Sequence, residues 1–584
     1  MVFRRHSWFI VCLGSGLASL SACGGGDPSA DNPWSDTPGA GNAAASGAAG
    51  GGEGQDIATT PSETPPSGAA ANQGESRADS GGPADSPPQE PAPAVPVATP
   101  EMDGPDPDPE PAAGDVPAGG EAPDVGVDPS SLEVINVRLV PRAEAAGATR
   151  VNVAVPFAAG DVAPGTPVAV RLDGVDLPAR SRELSQHADG SVRSLQVQTE
   201  LPVAQESEID VVVGAAPDTS LELVPVESTL APADGTQGPN VWALLPAEHL
   251  AQSGIAGPQV PASEIAGTEL DVWDALCDYE ANDVESFIAQ RSKPDVWLYD
   301  TATVSYRGHA RRGDLVTLES GYRGAALYRA ALSGSGGATR IGVPDRIDDL
   351  KYHYSQGMAI HYLMTGDDRF RESAEGVAAR ANALWAPEFG GNLWTERHAG
   401  FRLLANVWAA VVSDDRSDQF WQEADRSVEA TLAVLDAAPA GPGSPEARCF
   451  VHDGDQCSPW MSAIVADGLD AYASERPGPL ADRAREAIVQ LGRMLARAGR
   501  DPSGKPYYML YVSGGGEVDD YDEHWGESAY VAAMAWHHSG RSEPELYTAA
   551  EQLVAGLSRE GSAPHLRSAS WQCRSAVATP YYLR

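Results

Sequence analysis

The sequence predicts two folded parts: an N-terminal antiparallel β-sandwich or barrel, followed by an α/α toroid of helical hairpins, incomplete or complete. From Leu132 to about Val226, apolar and polar residues alternate in short runs separated by turns such as Asp173-Gly174. This alternation is typical of half-buried strands. From about Val296 onward the apolar period becomes helical, and helix pairs recur about every 50 to 60 residues.

The N-terminus has the pattern of an export signal. Arg4 and Arg5 precede an apolar run over residues 8–20, which is shorter than the roughly 20 residues that span a bilayer. The run ends in Leu20-Ser21-Ala22-Cys23, which resembles the lipobox of bacterial lipoproteins. We therefore predict a signal peptide over 1–22 and a lipid anchor at Cys23; ordinary secretion with an unmodified cysteine is the alternative. Gly24 follows Cys23 at the position where an aspartate would retain a lipoprotein at the inner membrane. The sequence therefore favours the outer membrane or cell surface.

Residues 23–130 are predicted to form a disordered tether. They are rich in Pro, Gly, Ala and acidic residues, and from residue 24 they hold 19 acidic side chains against the single basic residue Arg77. Such a composition buries too little apolar surface to offset chain entropy. The whole chain carries a formal charge of −42, which argues against nucleic acid as a partner because phosphate binding needs a basic surface.

Four cysteines remain after the signal and the anchor, and an even number in an exported protein predicts two disulfides. Three pairings are conceivable. We favour Cys449 with Cys457 across a short loop, and Cys277 with Cys573 across the C-terminal part. A zinc site is the alternative, but the chain has neither a CxxC pair nor matched histidine spacing.

We assign residues 131–230 to the β domain and 231–295 to a connecting segment. Three runs in the β domain carry a family resemblance: Val155-Pro156-Phe157-Ala158-Ala159-Gly160-Asp161-Val162, Leu177-Pro178-Ala179-Arg180 and His187-Ala188-Asp189-Gly190-Ser191-Val192-Arg193. They resemble the N-terminal β domain of the rhamnogalacturonan exolyase (YetA-like) family. Ser194 stands where that family usually has an aromatic residue. The resemblance implies an enzyme that cleaves a uronate-containing polysaccharide.

Residues 296–584 are assigned to the toroid. The first helix of each pair is rich in aromatic and small residues, as over 352–364, whereas the second is charged and amphipathic, as over 368–385. An inner and an outer ring of helices would produce this contrast. The arrangement resembles the six-hairpin toroids that many polysaccharide lyases and glycoside hydrolases share; a solenoid of helical pairs is the alternative.

Polar and aromatic residues concentrate where the inner helices begin, and aromatic rings beside charged groups suit a sugar. We predict that such residues bind substrate: Trp297, Glu396, Trp460, Asp522, Glu523 and Trp525. Uronate β-elimination needs a cation for the carboxylate, a base and an acid. Candidates for these roles are His398 or His353 as base, Arg397 or Arg402 as carboxylate clamp, and Tyr352 or Tyr354 as proton donor.

Two other functions stay open. A glycoside hydrolase needs two carboxyl groups on opposite sides of the bond, for which Glu396 or Asp300 could pair with Asp522 or Glu523. A non-catalytic glycan-binding lipoprotein would use the same surface. We predict no cofactor; a calcium ion at Asp519, Asp520 and Asp522, or at Asp453 and Asp455, is the alternative. The expected partners are a polysaccharide and, through the lipid, a membrane.

Overall fold

The computed structural model describes residues 132–142, 147–345, 348–387, 396–441, 444–451, 455–518, 524–561 and 566–584. All of them belong to one compact unit, Ala118–Arg584. The predicted signal peptide, Cys23 and the tether lie outside the described residues. Within the described ranges, no helix is long and apolar enough to cross a membrane.

The predicted antiparallel β region is confirmed. Its eight strands are β1 Glu133–Pro141, β2 Ala148–Pro156, β3 Val168–Leu172, β4 Val175–Leu177, β5 Ala179–Gln186, β6 Val192–Pro202, β7 Ser207–Val213 and β8 Val241–Leu244. They form two sheets, in the orders β4-β3-β7-β1-β8 and β2-β6-β5, with antiparallel pairing throughout. Asp173 and Gly174 both have positive φ between β3 and β4, as a tight hairpin turn requires.

Alternation places one face of each strand in the core. In β1, Ile135, Val137 and Leu139 are buried, and their neighbours on the chain are exposed or half-buried. Both sheets contribute to a single apolar cluster, for example through Val137 from one sheet and Val153 from the other. Whether the two sheets form a sandwich or a barrel stays a prediction.

The rest of the described chain is mainly helical. Four short helices come first, and they lie in the segment predicted only as a connection, as does β8: α1 Ala247–Ser253, α2 Ala262–Ile265, α3 Val272–Cys277 and α4 Val284–Gln290. The remaining helices are α5 Thr301–Arg312, α6 Leu315–Ala330, α7 Gln356–Thr365, α8 Asp368–Leu384, α9 Glu396–Val412, α10 Ser417–Ala437, α11 Ser462–Glu475, α12 Pro479–Ala498, α13 Trp525–His538, α14 Pro544–Glu560, α15 Leu566–Ser575 and α16 Thr579–Leu583. Five short strands interrupt them: β9 Leu332–Ser333, β10 Arg340–Ile341, β11 Gln456–Cys457, β12 Tyr507–Tyr511 and β13 Gly516–Val518.

The predicted helical hairpins are present. Gly313 and Gly366 end α5 and α7 in the left-handed conformation, and Asp314 and Asp367 then cap the next helix through their carboxylates. In α9 every residue is buried, whereas α12 buries only one face. This is the contrast expected of inner and outer helices, and we call α5, α7, α9, α11, α13 and α15 the inner helices.

Neighbouring inner helices contact one another in chain order, and α15 also contacts α5. Gly400 of α9 allows a close approach to α11, because a Cβ there would lie 2.8 Å from the backbone of Ile464 and Val465. The inner helices therefore run side by side, with their N-terminal ends on one side of the bundle and their C-terminal ends on the other.

The β region packs on the C-terminal ends. Ser194 donates to the Leu363 carbonyl of α7 at 2.7 Å, and Ser185 donates to the Val411 carbonyl of α9 at 2.6 Å. The buried Arg193 pairs with Glu475 at the end of α11. The N-terminal ends of these three helices thus lie on the side opposite the β region.

Two disulfides join Cys277 with Cys573 and Cys449 with Cys457. This is the pairing that the sequence favoured. The first ties α3 to α15 across 296 residues of chain. It thereby anchors the last inner helix to the start of the helical region.

Candidate functional site

Side chains from six separate stretches of the helical region meet at the N-terminal ends of the inner helices. Arg397 comes from the first turn of α9, Trp460 from just before α11, and His524 from just before α13. The other members come from the segment before α5, from β12 and from α15. We call the set the aromatic–arginine cluster: Tyr299, Arg397, Trp460, Tyr508, His524, Arg567 and Trp571.

Aromatic stacking holds the middle of the cluster together. The Trp460 and His524 rings are nearly parallel with centroids 4.4 Å apart, and Trp571 meets Trp460 edge-on at 4.3 Å. Tyr508 lies 5.4 Å from Trp460 and is partly exposed, whereas the other three rings are buried. Tyr508 therefore lies on the solvent side of the stack.

Two guanidinium groups converge on one phenol. Arg397 donates to the Tyr299 hydroxyl at 3.1 Å and lies over the Trp460 ring at 5.9 Å, and Arg567 also hydrogen-bonds the Tyr299 hydroxyl. Burial raises the pKa of Tyr299, while the two guanidinium groups act in the opposite direction. The phenol is consequently neutral at pH 7 and can donate a proton.

The backbone at Tyr299 is strained. Tyr299 and Asp300 have φ values of 71° and 54°, a region that bulky side chains avoid at a cost of about 1–3 kcal/mol each. The Tyr354 hydroxyl accepts the Tyr299 N–H at 2.9 Å. Asp300 accepts the Gly357 N–H at 3.0 Å and the Thr303 hydroxyl at 2.6 Å. These contacts fix the strained turn, and the turn places the phenol on Arg397.

His524 is held as a neutral hydrogen-bond donor. Trp571 donates its indole N–H to His524 Nδ1 at 2.6 Å, so the proton of the neutral imidazole is assigned to Nε2. Burial, and then Arg567 and Arg397, lower the pKa of His524 to about 3. His524 can therefore offer an N–H to a sugar oxygen, but it does not supply a base through Nδ1.

A second group of polar residues surrounds Asp349, on the segment that leads into α7. Lys351 Nζ lies 3.5 Å from its carboxylate and His398 Nε2 lies 3.9 Å from it. His353 donates Nδ1–H to the Asp349 carbonyl at 3.0 Å, and burial lowers its pKa to about 4. We call Asp349, Lys351, His353 and His398 the Asp349 cluster.

The two clusters are adjacent because α9 contributes to both. Arg397 and His398 are consecutive, so their side chains leave the helix about 100° apart. Arg397 turns to the aromatic–arginine cluster and His398 turns to Asp349. A guanidinium group and an imidazole thus come from the same helical turn.

Several predicted site residues lie elsewhere. Arg402 pairs with Glu423 of α10 at 2.9 Å and donates to the Trp385 carbonyl at 3.2 Å, so it joins neighbouring helices. Trp297 donates to the Arg291 carbonyl and packs on Phe287.

Of the two predicted tyrosines, Tyr354 supports the site through its hydroxyl. Tyr354 donates to the Lys351 carbonyl and holds Tyr299, and burial raises its pKa. Tyr352 is buried and its carbonyl accepts from Tyr328. The role of Tyr352 or Tyr354 as proton donor stays a prediction.

Of the remaining predicted substrate-binding residues, Glu396 and Trp525 are described and both are buried. Glu396 is buried at the start of α9. Trp525 is buried against α14, where a Cβ at Gly556 would lie 2.0 Å from its ring. Asp522 and Glu523 lie outside the described residues, as do Asp453, Asp519 and Asp520 of the alternative calcium sites. Among the residues that the structure describes, no group of three or more His, Cys, Asp or Glu could hold a metal ion.

The sequence placed Tyr299 and His524 at the starts of inner helices but assigned them no role, and sequence reasoning missed three members of the cluster: Tyr508, Arg567 and Trp571. Arg567 and Trp571 are four residues apart and so share a helical face, a spacing that could have been noticed in the last helix. Tyr508 gave no such signal, because it lies in a strand that the helical repeat does not predict.

No family model matches the chain, and no curated protein matches it. The resemblance of the β region to the rhamnogalacturonan exolyase family therefore stays a prediction. Several solved structures are similar, two of which are as follows. A sugar epimerase from a ruminal bacterium is 13% identical with a TM-score of 0.35, covering 49% of this chain and 86% of that one. An unsaturated glucuronyl hydrolase specific for heparin is 13% identical with a TM-score of 0.27, covering 46% of this chain and 67% of that one. At these TM-scores neither structure identifies the chemistry of this chain.

Proposed function

We propose that this protein is a polysaccharide lyase that binds a uronate at the aromatic–arginine cluster and cleaves the neighbouring glycosidic bond by β-elimination. The convergence of Arg397 and Arg567 on the phenol of Tyr299, beside stacked aromatic rings, carries the proposal. Two guanidinium groups suit a carboxylate. Rings suit the apolar face of a sugar.

Each step of the elimination has a residue in this assignment. Arg397 and Arg567 neutralise the carboxylate, which acidifies the proton on the adjacent ring carbon. His398 removes that proton, and Asp349, 3.9 Å away, stabilises the imidazolium. The electron pair of the broken C–H bond forms a carbon–carbon double bond, and the bond to the leaving oxygen breaks. Tyr299 gives its proton to that oxygen, so one product ends in an unsaturated uronate.

Hydrolysis is the second candidate, because buried carboxylates also lie beside the site. Glu527 Oε2 is 4.0 Å from His524 Nδ1, and both Glu527 and Glu396 are buried. A hydrolase would use two such carboxyl groups with a water molecule. We rank it second because the described contacts supply a cation pair and a phenol at one point, whereas no described contact brings the two carboxylates together.

The test follows two signals from the full chain at once. Pectic, alginate-like and glycosaminoglycan polymers are offered while unsaturated-uronate absorbance and reducing ends are recorded. A gain in absorbance supports the lyase. Reducing ends without absorbance identify a hydrolase, and retention on glycan without either signal identifies a binding protein.

Variants then test the roles. Tyr299→Phe keeps the ring and removes the proton, and we expect kcat to fall about 10²–10⁴-fold. Arg397→Ala should lower kcat/KM about 10²–10³-fold. Tyr547→Phe, on the half-buried face of the outer helix α14, is the matched control and should leave activity unchanged. Full activity in a His398→Ala, Arg397→Ala double variant would refute the assignment.

We also propose that the helical region closes into a six-hairpin toroid and that the protein is exported and anchored through lipidated Cys23. The contact of α15 with α5 supports the closure, and an experimental structure in which these helices are apart would overturn it. The anchor rests on the residues that end in Cys23. Cys23→Ser should release the protein from the membrane fraction, and a variant that stays bound would contradict the anchor.

A further inference from the structure

A second feature on the same side of the helical bundle is a cavity of about 550 Å³ between the ends of the outer helices α12 and α14. Its lining includes three arginines, Arg497, Arg500 and Arg559, together with Ser503, Gln552 and Trp525. We call it the arginine cavity. Outer helices run back toward the side on which the inner helices begin, so the cavity and the aromatic–arginine cluster lie on one rim.

The charge in this cavity is only partly balanced. Arg497 pairs with Glu545. Arg500 donates to the Gln552 side chain at 2.6 Å and to the Ala496 carbonyl at 3.1 Å, and both acceptors are neutral. Within the described ranges, neither Arg500 nor Arg559 has a carboxylate within 4.0 Å.

Asp501, the acidic residue in the cavity lining, does not directly offset the charge of the arginines. The Asp501 carboxylate accepts the Ser503 hydroxyl and the Ser503 and Lys505 N–H groups, so it is used within its own turn. Burial lowers the pKa of Arg500, as expected for a partly buried cation whose partners are neutral. A bound anion would relieve that desolvation. In a chain with a formal charge of −42, this is a local exception to the overall acidity.

Two short stretches of the chain connect the cavity to the candidate site. Trp525 lines the cavity and directly follows His524 of the aromatic–arginine cluster. Arg500 lies just beyond α12, in a turn that leads into β12 and Tyr508. This turn folds back on itself, since the Tyr507 N–H donates to the Gly499 carbonyl at 3.0 Å. Tyr508, which faces the Trp460 ring, is therefore close along the rim to Arg500.

We propose that the arginine cavity is an accessory subsite for the carboxylate or sulfate of another sugar in the same acidic polysaccharide chain. The inference deepens the proposed function and rests on it for the identity of the substrate. Arg500 and Arg559 bind the anionic group, and the rim from Trp525 to Tyr508 connects this subsite to the reacting sugar. The subsite contributes affinity for polymer and takes no part in the bond cleavage.

The experiment compares an Arg500→Gln, Arg559→Gln double variant of the full chain with the unchanged protein. Affinity for polygalacturonate and for heparin is measured by affinity electrophoresis at two salt concentrations, and KM and kcat are measured on polymer and on a short oligosaccharide. We expect about tenfold weaker polymer binding, a smaller salt dependence and an unchanged kcat. Arg483→Gln is the control, because it removes an exposed arginine from α12, where it pairs with Asp436 away from the cavity.

The outcomes separate this inference from the proposed function. If Arg397→Ala abolishes turnover while the double variant keeps its affinity and KM, the subsite is wrong and the lyase stands. If no polymer is cleaved but the double variant alone loses retention on acidic glycan, the subsite stands and the lyase is wrong. Equal loss in Arg483→Gln would show a general charge effect and overturn the subsite. A larger loss of affinity for polygalacturonate indicates that the subsite binds a carboxylate, and a larger loss for heparin indicates a sulfate.

Discussion

Acidification from pH 7 to pH 5 should destabilise this protein strongly, because four histidines are buried in neutral form. Burial lowers the pKa of His309 and His353 to about 4 and that of His361 and His524 to about 3. An unfolded histidine has a pKa near 6.5. Below that pH the histidines of the unfolded chain bind protons, whereas the buried histidines of the folded chain do not. The free energy of unfolding therefore falls as the pH falls from about 6.5 toward 4.

The magnitude follows from linkage. At pH 5 each of these histidines lowers the free energy of unfolding by about 2 kcal/mol, and together by about 8 kcal/mol, which approaches the whole stability of a typical domain. Asp300 and Glu375 act in the opposite direction, because burial raises their pKa and the folded state then gains protons on acidification. The pKa of Asp367 is lowered despite burial, mainly through Arg369, so its stabilising contribution is lost only below about pH 4.

A single substitution isolates one histidine from this sum. His353→Gln keeps an N–H donor for the Asp349 carbonyl but does not titrate. Guanidinium denaturation followed by tryptophan fluorescence, at pH 7 and pH 5 and constant ionic strength, should show a pH-dependent loss about 2 kcal/mol smaller in the variant. An equal loss in both proteins, or a wild-type stability that does not change until below pH 4, would refute the reasoning.

Two further predictions concern the packing of the helical region. Gly400→Ala should destabilise the protein by about 1–3 kcal/mol, because the new Cβ would lie 2.8 Å from α11. Gly324→Ala is its control, since that Cβ would lie 3.8 Å from Ala302 and the change should be neutral or stabilising in thermal melts. Loss of the Cys277–Cys573 disulfide, whose cysteines are 296 residues apart, should lower the free energy of unfolding by up to about 5 kcal/mol. Loss of Cys449–Cys457, whose cysteines are 8 residues apart, should lower it by about 2–3 kcal/mol, because a shorter loop restricts the unfolded chain less. Equal melting temperatures of the two double-alanine variants would contradict that order.

The helical repeat was readable from the sequence because its signals are local. Gly313-Asp314 and Gly366-Asp367 combine a left-handed helix end with the cap of the next helix, and both residue types have local reasons to be there. The buried inner helices and amphipathic outer helices followed from periodicity in the same way. The short helices α1–α4 were missed because segments of four to seven residues carry too little periodicity to detect.

The site was predicted less well, because it depends on contacts between distant segments. Arg397, His398 and Trp460 lie where the sequence placed them, at the starts of inner helices. Whether a side chain there faces a neighbouring helix or the site depends on helix rotation, which spacing alone does not fix. Arg402 shows this: it is one turn from His398, yet it turns to Glu423 of α10.

The position of the β region gives a physical reason for the side on which the site lies. Ser194 is fully buried, and its hydroxyl bonds to the Leu363 carbonyl at the end of α7. A large aromatic ring at this position would separate β6 from α7. Asn152 similarly donates to the Thr365 carbonyl at 2.8 Å. The β region thus satisfies the carbonyl groups that end α7, and it occupies the C-terminal side of the bundle. Under the proposed function, a polymer therefore approaches from the N-terminal side, where strain at Tyr299 and Asp300 is maintained by the surrounding contacts. Because such strain is costly to retain, its presence beside the paired arginines supports placing the chemistry there.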